Sequence, residues 1–149
     1  MPLLILTIGV PSAGKSTWVQ DYVNSHRTTK VVSNDDIRED LFGTRECDSS
    51  QNGMVYSEAH NRVAKYLAEN YDVIVDGTNV DLTEWLAYKE ISTRYICILA
   101  AKVFNVTPEE AFERQNNRER KVPKEVIVRK WKSLEDNRKY IPFIFNYSY

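Results

Sequence analysis

Short uninterrupted apolar runs alternate along the chain with longer stretches whose apolar residues recur every three or four positions. The run LLILTIG, residues 3–9, predicts a strand buried on both faces. The segment KSTWVQDYVNSH follows, with Trp18, Val19, Tyr22 and Val23 at helical spacing. KVVSND (30–35) predicts a second strand that exits at Ser33–Asp35, and DIREDLFG a short helix closed by Gly43. The polar stretch TRECDSSQNG (44–53) predicts a loop. A long helix is expected next, with Val55, Ala59, Val63, Tyr66 and Leu67 on its apolar face.

YDVIVDGTN predicts a third strand, and DLTEWLAYKEIS a helix capped near Asp81. YICILAAKVFN predicts a fourth strand. TPEEAFERQNNR begins with a threonine cap, a proline and two acids, and a further helix opens at Pro123. The aromatic tail YIPFIFNYSY suits a fifth strand, although Pro142 argues against it. This β-α alternation predicts an α/β fold: a mostly parallel sheet of four to five strands between two helical layers.

Composition narrows the class without naming an activity. The 149 residues are 42% hydrophobic and 28% charged, as expected of one globular domain with a real core. The net charge is −1, so any nucleic-acid contact must come from a local basic patch. Cys47 and Cys97 lack metal-ligand spacing and read as reduced thiols. Two histidines, His26 and His60, leave no His-based metal site. No apolar run reaches the ~18–20 residues of a membrane span, and MPLLILTIGV reads as a core strand rather than a signal peptide. A cytoplasmic protein with no membrane partner is expected.

The first chemistry lies directly after the first strand. GVPSAGKST spaces Gly9, Gly14, Lys15 and Ser16 as in a Walker A loop. Gly9 and Gly14 would allow backbone conformations that a side chain blocks. The N–H groups of Ser12, Ala13, Gly14, Lys15 and Ser16 would then face phosphate oxygens at a helix N-terminus, where Thr17 also lies. Lys15 suits the β and γ phosphates, and the Ser16 hydroxyl suits Mg2+. The donor is therefore ATP or GTP with Mg2+.

Ligands of open α/β sheets bind beyond the carboxyl ends of the strands, so the ends of the next two strands should flank this loop. In NDDIR, Asp35 and Arg38 share a helix face; a carboxylate there suits the proton of an attacking hydroxyl, and a guanidinium an acceptor phosphate. Asp36 reads as a helix-dipole residue, with Asn34 or Asp35 as cap. Asp76, ending DVIVD, suits either Mg2+ held through water or the orientation of Arg38 and the Asp35 region. An aspartate-phosphatase is excluded, because its second carboxylate would fall at Ile74.

Residues 111–132 hold eight basic and three acidic side chains, a local net of +5. Lys130 and Lys132 read as a solvated face. Arg114 and Arg118 read as a lid that brings guanidinium to a moving phosphoryl group.

Together, LTIGVPSAGKSTW, SNDDIR, VIVDGTN and ERQNNRERKVPKEVI resemble the kinase domain of phage-type polynucleotide 5′-hydroxyl kinases, over about residues 3–135. The resemblance implies a P-loop NTPase-type, adenylate-kinase-like sheet and one kinase domain over 1–149, with a lid near 114–124. It implies that Lys15 and Ser16 bind ATP phosphates and Mg2+, that Arg114 and Arg118 reach the donor, and that Arg118 stabilises the transition state. It also implies that Asp35 is the general base on a 5′-hydroxyl, that Arg38 grips the acceptor phosphate, and that Asp76 and Asn79 support the acceptor site.

Two departures stand out. Residues 1–149 carry no D-x-D-G-T signature of a 3′-phosphatase, so a bifunctional role is not expected of this stretch by itself, and Arg114-Gln115 replaces the usual Arg-Asn. Tetramer contacts in relatives involve parts not evident here, which leaves homo-oligomerisation open. Two other classes stay open beside a nucleic-acid 5′-hydroxyl: a P-loop kinase for a nucleoside, sugar acid or antibiotic, and a nucleotide-binding switch. A GTPase switch would need an N-K-x-D motif, which is absent.

Overall fold

Successive residues of the central strands point to opposite helical layers, as the two-residue period of an extended chain requires. In β1 (Leu3–Ile8), Leu4, Leu6 and Ile8 face one layer while Ile5 faces the other. The same alternation holds in β3 (Asp72–Asp76), where Val73 and Val75 oppose Ile74, and in β4 (Ile98–Val103), where Leu99 and Ala101 oppose Ala100. The computed structural model describes residues 1–46 and 48–149; Cys47, read as a reduced thiol, lies outside the described residues. Cys97 is free and half-buried, and burial pushes its thiol up to about 11.

Five parallel strands lie in the order β2-β3-β1-β4-β5, with β2 spanning Thr29–Ser33 and β5 Tyr147–Ser148. The sequence expectation of a mostly parallel α/β sheet is met. One layer is α1 (Lys15–Ser25), packed through Val19, Trp18, Tyr22 and Val23. The other layer includes α3 (Asn52–Ala68) and α4 (Leu82–Arg94), whose Val55, Ala59, Val63, Trp85 and Tyr88 meet the even-numbered residues of β1. Trp85 is wholly buried and its indole donates to the carbonyl of Asn79 at 2.5 Å, fixing the chain as it leaves β3.

Several boundaries moved. α2 runs Asn34–Phe42 and is capped by Ser33, whose hydroxyl accepts from the N–H of Asp36 at 3.3 Å; neither Asn34 nor Asp35 is the cap. Gly43 closes it with φ 73°, as its position after an amphipathic run predicted. The polar stretch 44–53 carries a 3₁₀ turn at Ser49–Gln51. α5 (Pro108–Gln115) carries Arg114 in its last turn and stops before Arg118, and α6 (Lys124–Asn137) begins after Lys121. The tail is mostly helical: a 3₁₀ turn at Arg138–Tyr140 leads into α7 (Ile141–Ile144), and only Tyr147–Ser148 pairs with β4. Pro142 sits in the first turn of α7, where its missing N–H costs nothing, and Ile141, Ile144 and Phe145 bury at helical spacing.

Candidate active site

A cleft of about 710 Å³ opens beyond the carboxyl ends of β1, β3 and β2, where this sheet type places ligands. β3 lies beside β1, and β2 lies beyond β3. The loop 9–14 forms one wall. Gly14 has φ 93° and Ser12 φ 66°, left-handed values that turn the chain sharply into α1. Gly9 serves differently from the expectation. Its φ is not in that region; instead a Cβ there would meet the Cβ of Phe104 at 3.0 Å, so a side chain would make the strand end and the β4 exit give way by a few tenths of an ångström. Ala13 packs into a small core with Val10, Ala111 and Ile127, tying the loop to α5 and α6.

Lys15 is 9% exposed, and its Nζ donates to the carbonyls of Gly9 at 2.9 Å and Val10 at 2.5 Å. Burial pulls its pKa down to about 8; Asp76 and Asp35 act against that, while Arg118 and Lys130 add to it. Ser16 and Thr17 line the cleft beside it. Asp76 lines the same space, and burial raises its carboxyl pKa, with Lys15 opposing the rise and Asp35 adding to it. A half-buried carboxylate and an exposed serine hydroxyl lining one cleft fit Mg2+, which takes few protein ligands and completes its shell with water and phosphate. Among the described residues no cluster of three metal-ligating side chains offers an alternative site.

The far wall is α2 with the segment after it. Asp35 Oδ1 accepts from Arg38 Nη1 at 3.1 Å, and its Oδ2 faces Arg120 Nη1 at 3.4 Å. Arg38 is 7% exposed; its Nη2 reaches Asn52 at 3.4 Å, and its Nε has no partner among the described residues. Asn34 Oδ1 is likewise buried and unpartnered beside the cleft. Two buried polar atoms of this kind are costly unless something in the cleft satisfies them. Gly77 is what lets Asn34 sit there, since a Cβ on it would fall 2.6 Å from Asn34 Nδ2.

The loop between α5 and α6 closes the cleft over its top. Its two ends are clasped by Gln115, which is buried: Nε2 donates to the carbonyl of Val122 at 2.9 Å and Oε1 accepts from its N–H at 3.1 Å. Arg118 Nη1 donates to the Ser12 hydroxyl at 2.6 Å, placing a guanidinium against the P-loop. Arg114 lies against Gly14, its Nη1 3.6 Å from where a Cβ would be. Arg120 reaches the opposite wall, donating to the carbonyl of Arg45 at 2.7 Å as well as facing Asp35.

Most residues expected at the site therefore meet in one cleft. Asn79 does not: it is 7% exposed and its amide donates to the carbonyls of Thr7 at 2.9 Å and Val75 at 3.1 Å. Through those two bonds the side chain pins the ends of β1 and β3. Lys130, expected on a solvated face, lines the cleft from α6. Arg45, Arg120 and Tyr56 also line it and were not singled out. Nothing local marks Arg45 or Tyr56 in the sequence, and Arg120 stood undistinguished within a basic run. The lining holds eight basic side chains (Lys15, Arg38, Arg45, Arg114, Arg118, Arg120, Lys121 and Lys130) against Asp35, Glu46 and Asp76. In a chain of net charge −1, that concentration gives the cleft a locally positive lining.

Residues 4–140 match the model of a family described as an AAA domain, and the chain belongs to that family. A chain of the Pnkp1/Rnl/Hen1 RNA repair complex superposes with a TM-score of 0.82 at 25% identity, covering 93% of this chain and 45% of that one. A second structure of the Pnkp1/Rnl/Hen1 complex gives 0.67 at 25% identity, over 80% and 43% of the two chains. A gluconokinase from Sinorhizobium meliloti 1021 shares the fold alone, at 16% identity and a TM-score of 0.64 over 92% and 77%. The chain thus spans less than half the length of the RNA repair chains it resembles. Fold and family together define a kinase-like P-loop domain. Among the described residues no helix is long and apolar enough to cross a membrane.

Proposed function

We propose that this domain transfers the γ-phosphoryl group of ATP to the 5′-hydroxyl of a polynucleotide. One observation carries the reading: Asp35, a half-exposed carboxylate flanked by Arg38 and Arg120, lies across a single cationic cleft from Lys15 and Arg118. A hydroxyl beside Asp35 has a base for its proton, and its neighbouring phosphate has the buried Arg38 fork with one N–H still unpartnered. Lys15 and the loop amides hold the donor phosphates in line with that hydroxyl. The new O–P bond forms as the bond to the β-phosphate oxygen breaks; Asp35 takes the proton and ADP leaves. Arg118, already docked on Ser12, meets the charge that builds on the transferred group. Ser16 and Asp76, through water, would hold Mg2+, which neutralises phosphate charge when bound. The similarity to the RNA repair chains supports the polynucleotide acceptor.

A second reading is a small-molecule kinase, favoured by the cleft volume, which lies within the ~300–1,000 Å³ of small-ligand sites. Initial rates with labelled ATP decide between them. A 5′-hydroxyl oligonucleotide should exceed free nucleosides and sugar acids in kcat/KM by about 100-fold or more, the scale of one buried charge-assisted phosphate contact. Faster transfer to a nucleoside or sugar acid would overturn the polynucleotide reading, and ATP binding with no transfer to any acceptor would overturn the kinase.

A further inference from the structure

Arg118 and Arg120 stand two positions apart in one loop and go to opposite walls of the cleft. Arg118 meets the P-loop at Ser12, on the donor side. Arg120 crosses to the acceptor side, where it faces Asp35 Oδ2 at 3.4 Å and donates to the carbonyl of Arg45 at 2.7 Å. Arg45 itself is held by two carboxylates of α2, with Nη1 at 2.7 Å from both Asp36 and Glu39. The acceptor wall therefore carries guanidinium groups at two depths. Arg38 is buried within, with 9% of its side chain exposed; Arg120 and Arg45 lie at the mouth, at 40% and 43%. Asp35 sits between the two depths and touches one from each.

We infer that Arg120, positioned by Arg45, forms a second phosphate subsite that selects acceptors with more than one phosphate. The inference rests on the reading of Asp35 and Arg38 given above. With the hydroxyl at Asp35 and the first phosphate on Arg38, the chain of a polynucleotide leaves the cleft past its mouth, where Arg120 waits. The contact Arg120 makes with Asp35 is suited to being given up. A half-exposed ion pair at 3.4 Å is weak, whereas a phosphate diester offers a guanidinium two charge-assisted bonds. Moving Arg120 onto that phosphate also frees Asp35 Oδ2 for the acceptor hydroxyl. A nucleoside phosphate with a single phosphate cannot draw Arg120 away, so the base stays partly occupied. Acceptor length would thus act on turnover as well as on affinity. Arg120 is here a specificity-determining residue, and Arg45 a positioning one.

The test uses the full chain and three acceptors: a nucleoside 3′-phosphate, a 5′-hydroxyl dinucleotide with a 3′-phosphate, and a 5′-hydroxyl oligonucleotide. For the wild type, kcat/KM should rise about tenfold or more from the first acceptor to the second, and less from the second to the third. R120A should reduce that first step to about twofold or less, with part of the loss in kcat. On the oligonucleotide, R120A should also reduce the slope of log kcat/KM against log salt by about 0.7, one single-strand phosphate contact. R120K should leave the salt slope near the wild type while recovering only part of the preference, because a single ammonium lacks the fork. R45A keeps the main-chain carbonyl that Arg120 binds but removes the contacts with Asp36 and Glu39 that fix that segment, so it should reduce the preference less than R120A does. If R120A lowers all three acceptors equally, Arg120 serves the transferred phosphoryl group or the fold, and the subsite is overturned while the kinase stands. An unchanged acceptor ratio in R120A overturns it in the same way. If the wild type phosphorylates none of the three, the polynucleotide reading fails first and the subsite with it.

Discussion

Lys15 and Asp35 face each other across one cleft and are held in different ways. Lys15 is 9% exposed and bonded to two carbonyls of its own loop, so a short contiguous stretch builds its surroundings. Asp35 is half-exposed and held by Arg38 from its own helix and Arg120 from a loop 85 residues away. The donor wall is backbone, and its shape follows from glycines and a helix start. The acceptor wall is side chains from α2, the segment after it and the lid, and depends on the tertiary fold. Donor recognition should accordingly be robust and acceptor recognition adjustable.

Breaking the donor wall should have the largest effect. Lys15→Ala should lower turnover about 10³-fold or more and weaken ATP binding in the same variant, measurable by initial rates and calorimetry. Loss of both together is the signature of a residue that meets the donor. Arg118→Ala should lower kcat on the order of 10³-fold with a smaller change in ATP affinity, since the moving charge is what it meets. An ATP affinity that collapses in parallel would move Arg118 to ground-state binding.

The buried ammonium adds a pH signature confined to the donor wall. Lys15 has its pKa lowered to about 8 in the free protein, and bound phosphate raises it. The sign follows from linkage: affinity is full below pH 8 and falls as pH rises above it, by up to about tenfold per unit until the pKa of the complex is reached. Titrations at pH 8.5 in buffers of different ionisation enthalpy should show proton uptake on ATP binding. Acceptor affinity should not share this profile.

The smallest effects are expected at the supports. Gln115→Leu removes both bonds to Val122 and leaves a part-buried N–H and C=O without partners, at a cost of about 1–3 kcal/mol. Its melting temperature should fall by about 2–4 °C per kcal/mol, and turnover should fall because the arginine loop loses its clasp. Gly77→Ala puts a Cβ where the Asn34 amide lies and displaces that side chain, so it should raise KM for the acceptor more than for ATP, with a stability loss of about 1 kcal/mol or less. An acceptor KM equal to the wild type would show that Asn34 does not shape that wall.

The same division explains what could be read from the sequence. Gly9-x-x-x-x-Gly14-Lys15-Ser16 between an apolar run and a helix is a local signal, and the loop formed as expected at Gly14 and Lys15. The parallel sheet was legible because continuous apolar runs and helical periodicity are also local. That Asp35 and Arg38 would line the cleft was legible because strand ends converge in this sheet type. Arg45 could not be found: its place beside Asp36 and Glu39 is set by the turn after Gly43, and nothing in TRECD marks it. Asn79 was placed at the acceptor site by the family resemblance alone, and its amide N–H groups hold the carbonyls of Thr7 and Val75. Gln115, a departure from the family pattern, acquired a role only when Val122 folded back onto it. The tail was ambiguous for a related reason: Pro142 fits a helix start as well as it disfavours a strand.

The account turns on Asp35 acting on the acceptor and not on the nucleotide. Phosphoryl transfer to a 5′-hydroxyl oligonucleotide and ATP affinity, both measured on one preparation of Asp35→Ala, test this most directly. Transfer should fall about 10²–10⁴-fold, the range of a lost general base, while ATP affinity stays within about twofold of the wild type. A variant that loses ATP binding along with transfer, or that still transfers at the wild-type rate, would contradict it.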